Sequence, residues 1–580
     1  MSELRADVRR LRPPMLGVLL GFVALSVLLF APVLAHPRSS VPFGGNDPIL
    51  FTWWLQWDSY ALGHAHLPLR TVWMNYPTGV NSMWNTSVLL LGVLMSPVTA
   101  VAGPVLSYNA LMVLGPALSG WVCCLAARRW ITRRWPAVFA GATFGFSPYF
   151  VAQSSGHLQL TFAVFPPLLL LLSHELFVVR SWPWRGLAAA LGVSIAAQFY
   201  LGEEVLASSA VVAGLSSALL LVALGRRAWP VLPYALKSLG GAAVLAAVLV
   251  APGLYEQFLG LSVIHGSVQS VPLPASDLLA PVVPTTLQLI DPLPSLSVPV
   301  VGPNLVEQTG YLGLPLLATC LAAPLVLRGN RAVWLAVPIL TAGVLSLGAS
   351  LQVDGIDTGI PLPWGVLRAL PILDSLIPVR LSLQTALCAV ILAACVVDNL
   401  LTTRHQYAAF AAAGVVAVSL APSGPIPAGT PPVPAFFTEA RDLRTLPTGT
   451  VALVAPYPGP QTPMAMLWQA DAGMRFKMPG GYFLGPDSRG NGAFGQAAGP
   501  LGADLTAIEN GQAGPDVTPG QRCAVFNDIG VEGIDEVLIG PMPHQDAAAQ
   551  WVAQLTGQTM TFRDGVWVLR VDRHHHAPCW

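Results

Sequence analysis

Arginine recurs in clusters between long apolar runs, and this alternation constrains the chain more than any other feature. About eleven runs are long and apolar enough to cross a bilayer, at residues 15–35, 105–127, 136–152, 159–179, 186–201, 205–224, 239–254, 312–327, 333–349, 381–397 and 407–421. Short loops rich in Arg and Lys stay on the cytoplasmic side of a membrane. Here Arg128, Arg129, Arg133 and Arg134, then Arg180 and Arg185, then Arg226, Arg227 and Lys237, then Arg328 and Arg331, and finally Arg404 fall at every second loop. Arg5, Arg9, Arg10 and Arg12 precede the first run, which therefore reads as a signal anchor with residues 1–14 in the cytoplasm. The apolar stretch 88–102 would invert every later loop if it crossed, so it is expected to lie in the outer interface.

Composition agrees with a lipid solvent: 54% of the 580 residues are hydrophobic and 10% are charged. Lys+Arg 29 balances Asp+Glu 29, so no net field argues for a nucleic-acid partner. The cytoplasmic loops are short and lack a Gly-rich phosphate cradle, which argues against nucleotide-dependent chemistry there. Function is thus sought on the outer face, in segments 36–87, 255–311, 350–380 and everything beyond 421.

Past residue 421 the pattern changes. A Pro-rich linker at 422–434 leads into a region, 435–580, of short β-branched runs and turns. Strands are predicted at 450–455, 534–539 and 566–571 and a helix at 544–555, which together describe a small α/β domain outside the cytoplasm. Cys123, Cys124, Cys320, Cys388 and Cys395 lie in apolar runs as small core residues. Cys523 and Cys579 lie in the C-terminal domain, where an oxidising compartment permits a disulfide but loop geometry leaves the pairing open. His574, His575 and His576 read as a terminal tail ahead of a metal site.

The first outer segment contains GGNDPILFTWWLQWDSYALGHAHLPLR. Trp53, Trp54 and Trp57 predict an interfacial helix, with Asp47 at its start beside the membrane surface. Two readings of Asp47 stand: a helix-starting residue, as Asp-Pro often is, or a reactive carboxylate. An acid just after span one, followed by interfacial helices, resembles the GT-C superfamily of membrane glycosyltransferases. The segments FGFSPYFVAQSSGHLQL, QFYLGEEVL, EQTGYLGLP and LPILDSLIPVRLS are similar to a bacterial, actinobacterial-like branch of it. The resemblance covers roughly residues 15–421.

It implies an α-helical polytopic membrane fold of about 11 spans carrying an extracytoplasmic C-terminal α/β domain. It also implies a polyprenyl-phosphate sugar donor and an envelope glycan, glycolipid or protein acceptor. Asp47 is then the general base, with Asp58 as its alternative. Glu203 and Glu204 are candidates for holding acceptor or a divalent cation, Mg or Mn, against the reading of a solvated turn. Arg380 breaks the positive-inside pattern and is the candidate phosphate ligand, with Arg368 and His157 as weaker ones. Snorkelling accounts for either arginine, and a structural role for the histidine, as the alternatives. Two rival functions remain: a transporter or flippase of lipid-linked saccharides, and a non-catalytic scaffold of envelope assembly. The first is disfavoured by the scarcity of mid-span ionisable residues, since Glu175 and Asp398 lie toward cytoplasmic ends.

Overall fold

The computed structural model describes residues 13–266, 268, 273–290, 304–328, 331–370, 373–403 and 405–571. It divides into two compact units that interleave along the sequence. The first comprises Met1–Ala35, Asn109–Val250 and Val271–Ala428, and the second His36–Tyr108, Ala251–Ser270 and Gly429–Trp580.

The first unit is helical and is built around helix Ser382–Leu400. Its sequence is apolar on every face, as a helix with no solvent side must be, and all residues from Ser382 to Asp398 are buried. Helices Arg134–Gly145, Leu314–Leu321, Arg331–Ser346 and Gln406–Leu420 pack around it. At its far end the Asp398 carboxylate accepts from Thr132 N at 3.1 Å, Thr132 Oγ1 at 3.0 Å and Arg133 N at 3.3 Å. Glu175 plays the same part elsewhere, accepting from Ser181 Oγ at 2.8 Å and Trp182 N at 2.9 Å. Both acids are therefore spent on tying down loops.

Among the described residues, five helices are long and apolar enough to cross a membrane: Pro104–Ala127, Leu158–Val179, Glu203–Leu224, Ala228–Leu259 and Pro378–Leu400. Shorter apolar helices include Met15–Leu29, Leu314–Val326, Ala332–Ser346 and Gln406–Leu420. Their outward faces are not suited to water. Val222, Val244, Val248 and Leu325 are 83%, 68%, 66% and 90% exposed, a density of bare apolar surface that marks a membrane protein. The expected span at 136–152 is not continuous: helix Arg134–Gly145 stops before Ser147, and a separate short helix, Pro148–Gln153, begins with Pro at its first position. A residue preceding proline is pushed out of the helical region, so Ser147-Pro148 breaks the run.

The second unit carries a five-stranded mixed sheet in the order Thr561–Arg563, Val566–Arg570, Glu536–Ile539, Thr450–Ala455, Phe476–Lys477. Glu536–Ile539 pairs parallel to Thr450–Ala455 and antiparallel to Val566–Arg570. The strands expected near 450, 534 and 566 are present, and the expected helix is Gln545–Thr556. Cys523 is disulfide-bonded, whereas Cys579 and the three terminal histidines lie outside the described residues.

The same unit contains helix Asn46–Gly63, referred to below as the loop helix, and helix Leu89–Ala102 packed against it. The tryptophans expected at the headgroup level are inside the protein instead: Trp53 and Trp54 are 0% exposed and Trp57 5%. Trp53 Nε1 donates to Gln469 Oε1 at 2.5 Å, and Gln469 Nε2 donates to the carbonyls of Trp73 at 2.8 Å and Phe476 at 2.6 Å. The tendency of tryptophan to sit at the headgroup level pointed to the interface, and the sequence alone does not reveal that Gln469, 416 positions away, returns to bond Trp53.

Candidate functional site

In the second unit, Asp47 stands in the first turn of the loop helix, after Gly45 in extended backbone and directly before Pro48. Exposed backbone N–H groups and the helix dipole make this a favourable place for negative charge. Tyr482 Oη donates to Asp47 Oδ1 at 2.8 Å. The phenol is pushed well above its ordinary value, first by burial and then by the charge and hydrogen bond of Asp47. Tyr108, whose ring stacks on Phe51 at 6.3 Å, is within electrostatic reach of the same carboxylate. Next to it, Asn46 Nδ2 donates to the carbonyls of Pro460 at 2.8 Å and Gln461 at 3.3 Å. Asp47 thus does more than start a helix, because segments distant in sequence hold it.

Asp58 is placed very differently on the same helix. It is 0% exposed, and neither carboxylate oxygen has a hydrogen-bond partner among the described residues. Burial alone pushes its carboxyl well above the usual range, which favours the protonated form. It faces Gly92 so closely that a Cβ there would stand 1.8 Å from Asp58 Oδ2.

In the first unit, Glu204, Arg380 and Glu307 form one cluster. Arg380 sits in the turn Pro378–Leu381 that leads into Ser382–Leu400, and Glu204 in the first turn of Glu203–Leu224. The guanidinium is a two-sided fork. Nη1 pairs with Glu204 Oε2, while Nη2 meets Glu307 Oε1 at 2.5 Å and Nε meets both Glu307 oxygens at 3.2 Å. Side-chain exposures of 13% for Arg380, 24% for Glu204 and 7% for Glu307 make this a largely desolvated ion cluster with one carboxylate in excess.

His157 belongs to the same neighbourhood. Its Nδ1 is 2.6 Å from Gln153 Oε1, and Gln153 Nε2 donates to the carbonyl of Val306, the residue before Glu307. The Tyr149 hydroxyl, buried and without a hydrogen-bond partner among the described residues, lies within electrostatic reach of Arg380, Glu204 and Glu307. Arg368 does not join them: it is exposed at the end of the short helix Trp364–Leu367. Glu203 is half-buried beside Glu204.

Two further residues were missed from sequence. Glu307 lies in EQTGYLGLP and is the acid nearest the apolar run at 312–327, a position that singles it out once Arg380 needs a counter-ion. Tyr482, in a Gly-rich stretch, offered no signal. Among the described residues no group of three or more His, Cys, Asp or Glu is arranged to hold a metal. At Glu204 the donor set fits a cation poorly, because that carboxylate already pairs with Arg380 and accepts from Ile377 N at 3.3 Å. A separate apolar groove of about 500 Å³ in the first unit is lined by Val282, Ile290, Tyr311, Leu314, Val415 and Val418 among others.

No family model matches the chain, and no curated protein matches it. Solved structures do. The mycobacterial arabinofuranosyltransferase AftD superposes with a TM-score of 0.51 at 14% identity, over 96% of this chain and 40% of that one. The chain thus spans about 40% of the length of AftD. The oligosaccharyltransferase AglB from Archaeoglobus fulgidus, solved with an inhibitory peptide and a dolichol-phosphate, gives 0.48 at 14% identity over 93% of this chain and 71% of that one. ArnT from Cupriavidus metallidurans bound to undecaprenyl phosphate gives 0.46 at 14% identity over 97% and 99%. The resemblance to GT-C membrane glycosyltransferases therefore holds at the level of the fold.

Proposed function

We propose that this protein transfers a sugar from a polyprenyl-phosphate donor to an envelope glycan, glycolipid or protein on the outer face of the cytoplasmic membrane, with inversion at the anomeric carbon. In this reading the membrane part has about eleven spans, with residues 1–14 in the cytoplasm and 435–580 outside it. The observation that carries the proposal is Asp47, an acid at a helix start held by the Tyr482 phenol, in a chain with the fold of an arabinofuranosyltransferase.

The chemistry asks for few groups. The acceptor hydroxyl oxygen forms a bond to the anomeric carbon while its proton passes to the Asp47 carboxylate. The bond from that carbon to the phosphate oxygen breaks, and its electron pair leaves with polyprenyl phosphate. Such an anion departs without a strong acid and needs only positive charge or hydrogen-bond donors. Asp47 is preferred to Asp58 because a carboxyl kept neutral by burial is a poor proton acceptor.

Arg380 is the cation proposed to face the donor phosphate. Its fork is occupied by two carboxylates, so phosphate must displace one. Glu204, at 24% exposure against 7% for Glu307, is the easier to displace. The Tyr149 hydroxyl, without a hydrogen-bond partner among the described residues, is a candidate donor beside it; His157, bonded to Gln153, and the exposed Arg368 are weaker candidates. The apolar groove offers a place for an isoprenoid tail. Transport is the poorer reading, because Glu175 and Asp398 are engaged by loop N–H and hydroxyl groups and do not form a proton path.

The test uses purified protein in lipid nanodiscs supplied with mannosyl and arabinofuranosyl polyprenyl phosphates, with release of polyprenyl phosphate measured. Asp47→Asn is expected to lower turnover by ~10²–10⁴-fold with an unchanged melting profile. Turnover equal to wild type in that variant removes Asp47 from the mechanism. Movement of the lipid across vesicles without sugar transfer would favour transport.

A further inference from the structure

We infer that the C-terminal domain contributes a positioning residue to the reaction: Tyr482 sets the orientation and the proton affinity of the Asp47 carboxylate. The inference rests on the reading of Asp47 as the base and assigns a role to a domain that fold alone leaves without one.

The contact is not an isolated touch between two mobile chains. Tyr482 Oη donates to Asp47 Oδ1 at 2.8 Å, while its backbone N–H is directed at Met466 Sδ at 3.2 Å. Its ring meets Phe494 edge-on at a centroid distance of 6.4 Å. Phe494 belongs to strand Gly492–Phe494, which pairs with Leu484–Pro486, so Tyr482 sits at the entry to a hairpin. That hairpin is itself anchored to the loop segment, because Leu484 N donates to Asn85 Oδ1 at 2.7 Å and Asn85 Nδ2 donates back to Leu484 O at 2.9 Å. The neighbouring residue, Asn46, is bonded through its side chain to the carbonyls of Pro460 and Gln461. Asp47 is therefore fixed from its own helix and from two separate points of the C-terminal domain.

A phenol suits this task for a stated reason. It is neutral, so it orients a carboxylate without cancelling its charge, as a guanidinium would. A hydrogen bond to the ionised form also favours that form, keeping the carboxylate ready to receive a proton at neutral pH. Buried and facing Asp47, the phenol is pushed well away from ionising itself. Its hydrogen therefore stays on oxygen and points at the carboxylate. The consequence is that the C-terminal domain acts on turnover through one hydroxyl, independently of how tightly substrate binds.

Two measurements test it. With the same lipid-linked sugars, Tyr482→Phe is expected to lower kcat by ~10–100-fold, the equivalent of one hydrogen bond to a charged group, with donor KM within about 2-fold of wild type. The acid limb of its pH–rate profile should move to higher pH, a change that a purely structural role would not produce. The second measurement needs no substrate. Carbon-13 spectra of tyrosine-labelled protein, with Tyr482→Phe identifying the one ring signal, should show that signal displaced in Asp47→Asn relative to wild type at neutral pH, because the group accepting the hydroxyl proton has changed. An unmoved Tyr482 signal, or a Tyr482→Phe enzyme with wild-type kcat and pH profile, would overturn the inference. If Asp47→Asn keeps full turnover while the signal still moves, the contact stands and the glycosyl-transfer role of Asp47 is what fails.

Discussion

The two clusters of acids in this molecule are built on opposite principles. Asp47 is held by a neutral phenol, whereas Glu204 and Glu307 are held by one guanidinium in surroundings largely closed to water. A neutral donor such as a phenol orients a carboxylate without cancelling its charge. A carboxylate paired with a buried cation has its charge engaged in holding structure until a competing anion arrives. From the sequence Asp47 and Glu204 looked alike, each an acid near the outer membrane boundary. Their partners make them different, and those partners come from far along the chain.

The contrast is broken most directly at Arg380. Replacing it by Met takes the guanidinium away from two carboxylates in a largely desolvated cluster, and removal of one partner of such a pair typically costs about 3–5 kcal/mol. Arg380→Met is therefore expected to melt well below wild type in detergent. The triple variant Arg380→Met, Glu204→Gln, Glu307→Gln should recover most of the loss. If Arg380→Met is as stable as wild type and only donor binding suffers, the cluster is open to water in solution and the contrast with Asp47 disappears.

How much of this was legible beforehand follows from what each feature depends on. The apolar runs, the membrane class and the strands at 450–455 and 566–570 are local properties of composition and period, and they were readable. The break at Ser147-Pro148 was readable in principle from proline chemistry and was passed over because the flanking run is so apolar. Arg380 was conspicuous as an arginine on the wrong side of the charge pattern, and Glu204 as an acid between two apolar stretches. That the two pair was not legible, because 176 positions separate them. Tyr482 lies 435 positions from Asp47 and carries no periodic or motif signal. Long-range pairing decides which of several similar acids is reactive, and one sequence does not disclose it.

Asp58 supplies a third case, a buried acid with no hydrogen-bond partner among the described residues, and sharpens the comparison at smaller scale. Its carboxyl lies against the Gly92 backbone, where only a residue without Cβ fits. Gly92→Ala forces the loop helix and helix Leu89–Ala102 apart, and overpacking of this kind costs about 1–3 kcal/mol. Adding Asp58→Ala to Gly92→Ala should return much of that stability, because the clash is between these two side chains. Thermal denaturation of the two single variants and the double variant measures the coupling. Strict additivity would mean that the contact is absent in solution.

The comparison is also sharpened by pH dependence, where burial is the first cause acting on three acids of the C-terminal domain. In the C-terminal domain Asp471, Glu532 and Glu536 are each pushed up to about 7, in every case first by burial; Asp528 adds to the shift at Glu532, while Arg570 opposes it at Glu536. The folded chain then keeps these protons up to about pH 7, whereas the unfolded chain releases them near the ordinary values of 3.8 and 4.5. Between those limits the folded state binds more protons, so the stability of the domain falls as pH rises and levels off above about 7. Asp487, held below its ordinary value by backbone hydrogen bonds, works in the other direction, but only as pH drops below about 3.8. Melting temperatures taken from pH 5 to 8 should therefore decline, and Asp471→Asn should flatten the decline without reversing it, since other raised acids, Glu532 and Glu536 among them, remain. A melting temperature that is constant across this window would mean that water reaches all three carboxyls. Burial without a partner would then no longer be a distinct way in which this protein holds an acid.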